Sequence, residues 1–181
     1  VVGSGHIIDS VLHSGLDCGD VMIEIKEDAV KDSEALKAFC HYYKRNGFKI
    51  ALDDVGSATS NLARFSLIRP DIVKIDMSLI RNIDTDYFSA EIVRTIADLC
   101  HATGTMVLAE GVETKAEAIE SMMQGVDMLQ GYYLSRPLPV IEEKQESLSA
   151  LAELMELRRS KVLSLSTRLN ELFRCIDTLA D

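Results

Sequence analysis

Charged side chains occur at or near the ends of four successive apolar runs in this chain. They are Glu24, Asp53, Asp54, Lys74 and Glu110. Carboxylates that share a pocket repel one another and raise one another's pKa values unless cations bind among them. Carboxylate oxygens favour hard cations such as Mg²⁺ or Mn²⁺. The sequence therefore predicts a divalent-metal site wherever the fold brings these run ends together.

The same residues predict the chemistry that such a site could support. Asp53 and Asp54 are adjacent and could bridge two ions, which suits in-line attack on a phosphodiester. Lys74 would then orient the attacking water or meet phosphate charge. Gln130, at the end of a fifth apolar run, is expected to lie close to the other four run ends.

Each of these residues also has a purely structural interpretation. Asp76, which precedes Met77, could be only a helix N-cap. Asp53 and Asp54 could begin a turn with Gly56, and Lys74 could pair with a carboxylate without doing chemistry. Recurrence at four successive run ends, with an amide at the fifth, favours the functional interpretation.

Strands and helices alternate along the first 130 residues. The apolar runs predict five buried strands, at Val21–Ile25, Phe48–Leu52, Asp71–Ile75, Thr105–Ala109 and Asp127–Gln130. Helical patterns lie between them, at Ser33–Arg45, Asn61–Leu67, Ser89–Ala102 and Thr114–Gln124. Short links between alternating strands and helices predict parallel strands joined by crossover helices.

Two α/β architectures fit this alternation, an open doubly wound sheet and a closed barrel. Neither GxGxxG nor GxxxxGK[ST] follows the first strand, which weakens the case for a nucleotide-binding open sheet. In either case the strand C-termini open on one face, and in barrels that face carries the active site. The predicted strand ends should therefore converge.

Composition excludes several classes of function. The formal net charge of −10 disfavours a DNA or RNA polymer as partner, because an acidic surface repels a phosphate backbone. The four cysteines and four histidines are scattered, which disfavours a zinc site and suggests reduced thiols in a cytosolic protein. No apolar run approaches membrane-spanning length. The start at Val1, without a Met, suggests a piece of a longer protein.

Five motifs in this order resemble those of the EAL family of cyclic di-GMP phosphodiesterases. They are IEIKE at 23–27, LDDVG at 52–56, VKID at 73–76, AEGVE at 109–113, and LQGYYLSRPLP at 129–139. The resemblance covers roughly residues 5 to 139, and its last two motifs are the most specific. It implies a modified (β/α)8 barrel of the TIM type that hydrolyses cyclic di-GMP to linear pGpG in bacterial cytoplasm.

The resemblance also implies a role for each site residue. Glu24 and Asp53 would bind one metal ion, and Asp53, Asp54 and Glu110 would bind the second. Lys74 would hold the attacking water with Gln130 nearby, so the expected catalytic residues are Lys74, Glu110 and Gln130. Two further glutamates, Glu27 and Glu113, would support the loop after the second strand and the site.

The chain departs from the family pattern in two ways. The family's first three strands, with the Glu of its signature tripeptide and an Asn ligand, are not in this sequence, so we expect an incomplete barrel that is inactive by itself. The family's DDFGTGYSSL loop is here DDVGSATSNL at 53–62. Ala58 replaces a Gly that can adopt positive φ. These departures keep open a second hypothesis, a degenerate EAL domain that binds cyclic di-GMP or a protein without catalysis.

The C-terminal residues have a different pattern from the barrel segment. Apolar residues recur at heptad spacing from Leu148 to Leu179, and Arg158 alone breaks the repeat. We therefore expect a barrel domain at 1–140 and a helical extension at 141–181 that forms a dimeric coiled coil. The alternative is an amphipathic helix packed on the barrel. Barrels of the EAL family are commonly linked by helices to sensory domains, so the resemblance implies a further domain.

Overall fold

Five parallel strands form the sheet of the computed structural model. The structure describes residues 6–26, 32–57, 62–137 and 148–160. The strands are β1 (Met22–Lys26), β2 (Lys49–Val55), β3 (Ile72–Ile75), β4 (Met106–Ala109) and β5 (Met128–Leu129). They pair in the order in which they occur in the chain. Each overlaps a predicted strand, so the α/β prediction with parallel strands is confirmed.

Helices precede β1 and lie between successive strands along the chain. They are α1 (His6–His13), α2 (Ser33–Arg45), α3 (Leu62–Ile68), α4 (Met77–Ile80), α5 (Tyr87–Ala102) and α6 (Lys115–Met123), with a 3₁₀ turn at Cys18–Asp20. Within the described residues β1 and β5 each pair with a single strand, so the sheet is not closed into a barrel. This agrees with the expected incomplete barrel.

Side-chain caps explain where several helices begin. The Asp32 side chain accepts hydrogen bonds from two backbone N–H groups at the start of α2. Thr114 and Glu117 form the predicted capping box of α6, in which each side chain accepts from the other's backbone N–H. Asp76 caps α4 through Ser78 N at 2.9 Å, so its structural interpretation is confirmed.

The core lies between the sheet and its outer helices. Ile50, Ile75 and Val107 are fully buried, as expected for the apolar residues of strands in a parallel sheet. On the helix side, Tyr43 of α2 meets Phe48 edge-on, with ring centroids 5.4 Å apart. This packing fixes the strands whose C-terminal ends carry the polar residues.

Hydrogen bonds extend the ladder one residue past three strand ends. The backbone N–H of Asp76 donates to Val55 O, that of Glu110 to Ile75 O, and that of Gln130 to Ala109 O, at 2.9 to 3.1 Å. The residues that directly follow these three strands therefore make backbone hydrogen bonds of the same kind as those within the sheet. They share one edge of the sheet, as the sequence predicted.

Two compact units divide the chain, one at Val1–Tyr132 and one at Tyr133–Asp181. In the second, residues 148–160 are helical, in agreement with the predicted helix. The heptad residues Leu148, Leu151 and Met155 are exposed there, whereas Leu154 is fully buried. The predicted coiled coil from residue 161 onward lies outside the described residues. No described helix is long and apolar enough to cross a membrane.

Candidate metal centre

A β-bulge sets the positions of the two adjacent aspartates. Leu52 pairs with Val73 and Val55 with Ile75, so two residues of β2, Asp53 and Asp54, oppose the single residue Lys74 of β3. A bulge re-aims side chains that would otherwise alternate between the two faces of the sheet. Asp54 accordingly has a positive φ of 59°, a conformation that Asp tolerates better than most residues.

Lys74 lies at the centre of the charged cluster. Its ammonium nitrogen lies 3.1 Å from Glu24 Oε1, 2.9 Å from Asp53 Oδ1 and 2.7 Å from Glu110 Oε1. The lysine is almost completely buried, at 6% exposed. The ends of four adjacent strands thus meet at one cation, and the predicted convergence is found.

The surroundings of Lys74 keep it protonated. Burial by itself would lower the pKa of the ammonium, but hydrogen bonds to Glu110, Asp53 and Glu24 outweigh burial and raise the pKa above its ordinary value. Lys74 therefore acts as a fixed positive charge and a hydrogen-bond donor.

Three carboxylates at this edge are close enough to share a cation. Asp53, Asp54 and Glu110 each offer one oxygen, and these oxygens lie within 4.8 Å of one another. Asp53 is buried, and its Oδ1 lies 2.9 Å from Lys74 Nζ. An all-oxygen donor set that includes a buried carboxylate fits Mg²⁺ or Mn²⁺.

The remaining predicted site residues occupy different positions around this centre. Glu24 reaches Lys74 but is exposed and is not part of the three-carboxylate group. Gln130 is exposed, and its backbone binds Ala109 O and Val112 N. Glu113 forms an ion pair with Arg81, at 2.6 Å between Nη1 and Oε2. Glu27 lies outside the described residues.

The sequence did not identify Arg81, and it identified only one of the two roles of Glu117. The sequence identified Glu117 only as half of a capping box. In the structure it is 2% exposed, and its carboxylate also binds the backbone of Glu113 and Asn82. The contact with Asn82 has no sequence pattern that could reveal it, because Asn82 lies 35 residues before Glu117 in the chain.

Known proteins are similar to this chain in sequence and in fold. The family model described as EAL domain matches residues 3–137, which is most of the chain. The chain belongs to the EAL domain family. The suspected resemblance is therefore confirmed, and the five strands of this EAL domain correspond to part of a barrel of the TIM type.

Individual relatives agree with the family assignment. The domain is 37% identical over 123 residues to the probable cyclic di-GMP phosphodiesterase PdeA of Escherichia coli, a match that covers 67% of this chain and 17% of PdeA. The chain thus spans less than a fifth of that relative.

Two solved structures have the same fold. The YkuI protein of Bacillus subtilis, with an EAL domain and in complex with substrate cyclic di-GMP and calcium, matches with a TM-score of 0.74 and 25% identity over 90% of this chain and 42% of that one. BlrP1 of Klebsiella pneumoniae, a manganese and cyclic di-GMP complex, matches with a TM-score of 0.70 and 32% identity over 74% of this chain and 34% of that one.

Proposed function

We propose that this EAL domain, in a complete barrel, hydrolyses cyclic di-GMP to linear pGpG with Mg²⁺ or Mn²⁺, using two ions. One observation carries the proposal: a protonated, buried Lys74 lies among Glu24, Asp53 and Glu110, beside the Asp53–Asp54–Glu110 group. This combination offers both cation ligands and a fixed hydrogen-bond donor. A structural ion pair would need only one of these carboxylates.

The reaction needs charge stabilisation more than covalent chemistry. Water forms a new P–O bond and loses a proton while one ester P–O bond breaks, and the departing ribose oxygen takes up a proton in exchange. Divalent cations held by Asp53, Asp54, Glu110 and Glu24 would supply Lewis-acid stabilisation of the phosphodiester charge. Lys74 would donate hydrogen bonds that orient the water or a phosphate oxygen. Gln130, at the same edge of the sheet, would contact the substrate or the water.

The relatives support this proposal through what their names state. PdeA is named as a probable cyclic di-GMP phosphodiesterase, and the YkuI and BlrP1 structures contain cyclic di-GMP with calcium or manganese. Calcium and manganese form divalent cations, which agrees with the carboxylates proposed here as metal ligands. We further propose that the protein works in the bacterial cytoplasm as a homodimer with an additional sensory or regulatory domain.

A second candidate function is binding of cyclic di-GMP or of a protein without catalysis. The observation that favours it is the altered segment that begins at the end of β2, where the buried Val55 stands in place of the family's Phe. A changed loop would affect turnover more than ligand binding. Binding without product formation would distinguish this candidate from the phosphodiesterase.

Chromatography of the reaction products tests the proposal. A barrel that includes the expected upstream strands should convert cyclic di-GMP to pGpG with Mg²⁺ or Mn²⁺, whereas the 181-residue chain should not. Asp53→Asn should abolish turnover, because it weakens the one ligand expected to serve both ions. Asp98→Asn makes the same chemical change on the exposed face of α5 and should have no effect. Normal turnover by Asp53→Asn would contradict the bridging role.

A further inference from the structure

The loop after β4, residues 110–114, is held at every position after Glu110. We call it the β4 loop. Gly111 has a φ of 70°, and a Cβ there would lie 2.6 Å from Met77 Cβ, so position 111 must be glycine to fit beside α4. Met77 follows β3, the strand that carries Lys74. The β4 loop is therefore packed against the start of α4, which follows the neighbouring strand β3.

The other side of the β4 loop lies against the segment after β5. The Val112 N–H donates to Gln130 O at 3.1 Å. A Cβ on Gly131 would lie 2.0 Å from Val112 O, so only glycine allows this approach. Loop packing thus restricts Gly111 and Val112 from two sides.

Glu117 holds the last part of the β4 loop. Its Oε2 accepts hydrogen bonds from Glu113 N at 2.8 Å and Thr114 N at 3.0 Å. Its Oε1 accepts one from Asn82 N at 3.2 Å. Asn82 belongs to the turn that follows α4. One buried carboxylate therefore ties the β4 loop to the segment after β3.

Arg81 reinforces the same connection. Its Nη1 lies 2.6 Å from Glu113 Oε2 and 3.7 Å from Glu117 Oε1. The guanidinium of Arg81 thus joins the Glu113 side chain to the carboxylate of Glu117, which binds the backbone of the β4 loop. It also offsets the charge of Glu117, which is almost fully buried.

Helix capping does not account for this arrangement. A capping box needs only one bond from the N3 carboxylate to the N-cap N–H, here Thr114 N. The bonds to Glu113 N and Asn82 N, and the contact with Arg81, add nothing to the start of α6. They connect two loops that flank Glu110 and Lys74.

We propose that Glu117 and Arg81 are positioning residues that fix Glu110 at the metal centre by locking the β4 loop to the segment after β3. This inference rests on the proposed function for its metal, but the position of Glu110 can be measured without one. Partners that orient metal ligands typically change metal affinity by about 10- to 100-fold when they are removed. Glu117 and Arg81 are expected to act at the lower end of this range, because neither touches Glu110.

The test uses the 181-residue chain and the variants Glu117→Gln and Arg81→Met. In ¹⁵N-lysine-labelled protein with EDTA, the Nζ resonance of Lys74 reports its ion pair with Glu110. EPR titration with Mn²⁺ alone then reports metal affinity. Both variants should shift or broaden the Lys74 signal and weaken Mn²⁺ binding about tenfold. Arg81→Lys keeps the positive charge, so its Lys74 resonance and its Mn²⁺ affinity should be close to those of the unmodified chain.

Matched controls separate positioning from general destabilisation. Glu120→Gln changes a half-buried glutamate one turn later on α6, and Arg94→Met removes an exposed pair on α5. Both control variants should leave the Lys74 Nζ resonance and the Mn²⁺ affinity unchanged. Folded Glu117→Gln and Arg81→Met proteins with an unchanged Lys74 resonance and unchanged Mn²⁺ affinity would overturn the proposal. A shifted Lys74 resonance in a chain that never binds Mn²⁺ would support positioning of Glu110 and contradict the proposed function instead.

Discussion

The ammonium nitrogen of Lys74, near the end of β3, lies 2.7 Å from Glu110 Oε1, which directly follows β4. Adjacent parallel strands bring these two residues together, and Asp53 and Glu24 complete the ring of acceptors. The cation therefore compensates carboxylates that would otherwise repel one another. Removing it should affect both the stability of the protein and its dependence on metal.

Lys74→Met should lower the free energy of unfolding by about 3 kcal/mol in EDTA, because it leaves a buried carboxylate cluster without its cation. Urea unfolding at neutral pH measures this loss. Arg94→Met removes an exposed pair and should cost less than about 1 kcal/mol. Added Mn²⁺ should recover part of the loss in Lys74→Met. A Lys74→Met protein as stable as the unmodified chain in EDTA would show that the cluster needs no cation.

Acid should destabilise the protein partly through Glu117. Burial alone would raise the pKa of this carboxyl, but backbone hydrogen bonds from Glu113, Asn82 and Thr114, and the charge of Arg81, lower it overall. The folded pKa is thus below the unfolded value of about 4.3. The stabilisation is present above that pH and is lost as pH falls through the folded pKa.

Urea unfolding across an acid pH series measures this contribution. The unmodified chain should lose more stability below about pH 4.3 than Glu117→Gln, which has no proton to take up at this position. Glu120→Gln serves as the matched control and should follow the unmodified chain. Parallel curves for the unmodified chain and Glu117→Gln would contradict a depressed pKa.

The cysteines should differ in reactivity. Burial, followed by the nearby charge of Asp127, raises the pKa of Cys100 to about 12, and burial also raises the pKa of Cys40. Only the thiolate reacts, so alkylation by iodoacetamide at pH 8 should be more than about tenfold slower at both than at the half-buried Cys18. Peptide mass spectrometry resolves the sites, and labelling in urea is the control. Equal native rates at all three would contradict the buried positions.

Self-association through the C-terminal helix stays a prediction. Leu151 lies on the proposed seam and is 44% exposed in the structure, which leaves it available to a second copy. Sedimentation should find a dimer for the unmodified chain and a monomer for Leu151→Lys. Ser160→Lys adds the same charge at an exposed position off the seam and should remain dimeric. A monomer for the unmodified chain at all concentrations would exclude the coiled coil.

The sequence predicted the strands and the convergence of their ends better than it predicted local geometry. Apolar runs with short links were sufficient for the five strands, because buried parallel strands have continuous hydrophobic sequences. The bulge at Asp53 and Asp54 could not be predicted, since the register of β2 depends on its pairing with β3. It explains how two consecutive residues share one site.

The elements that the sequence missed have weak local patterns. α1 is only eight residues long, and none of its residues is buried although its apolar residues recur at helical spacing. α4 is only four residues long and was visible only through its Asp76 cap. The loop contacts of Glu117 depend on tertiary structure. Sequence pattern therefore predicts which strand ends converge, whereas the packing of the loops determines how exactly Glu110 is held.

Anomalous diffraction near the manganese absorption edge, from crystals of the chain grown with Mn²⁺, tests the central claim most directly. The account predicts a strong anomalous peak within about 2.0–2.2 Å of oxygens of Asp53, Asp54 and Glu110, distances typical of small divalent cations bound to carboxylates. Lys74 Nζ should be displaced from at least one of its present partners. A peak elsewhere, or none at Mn²⁺ concentrations that saturate binding in solution, would contradict the assignment of a metal centre to these carboxylates.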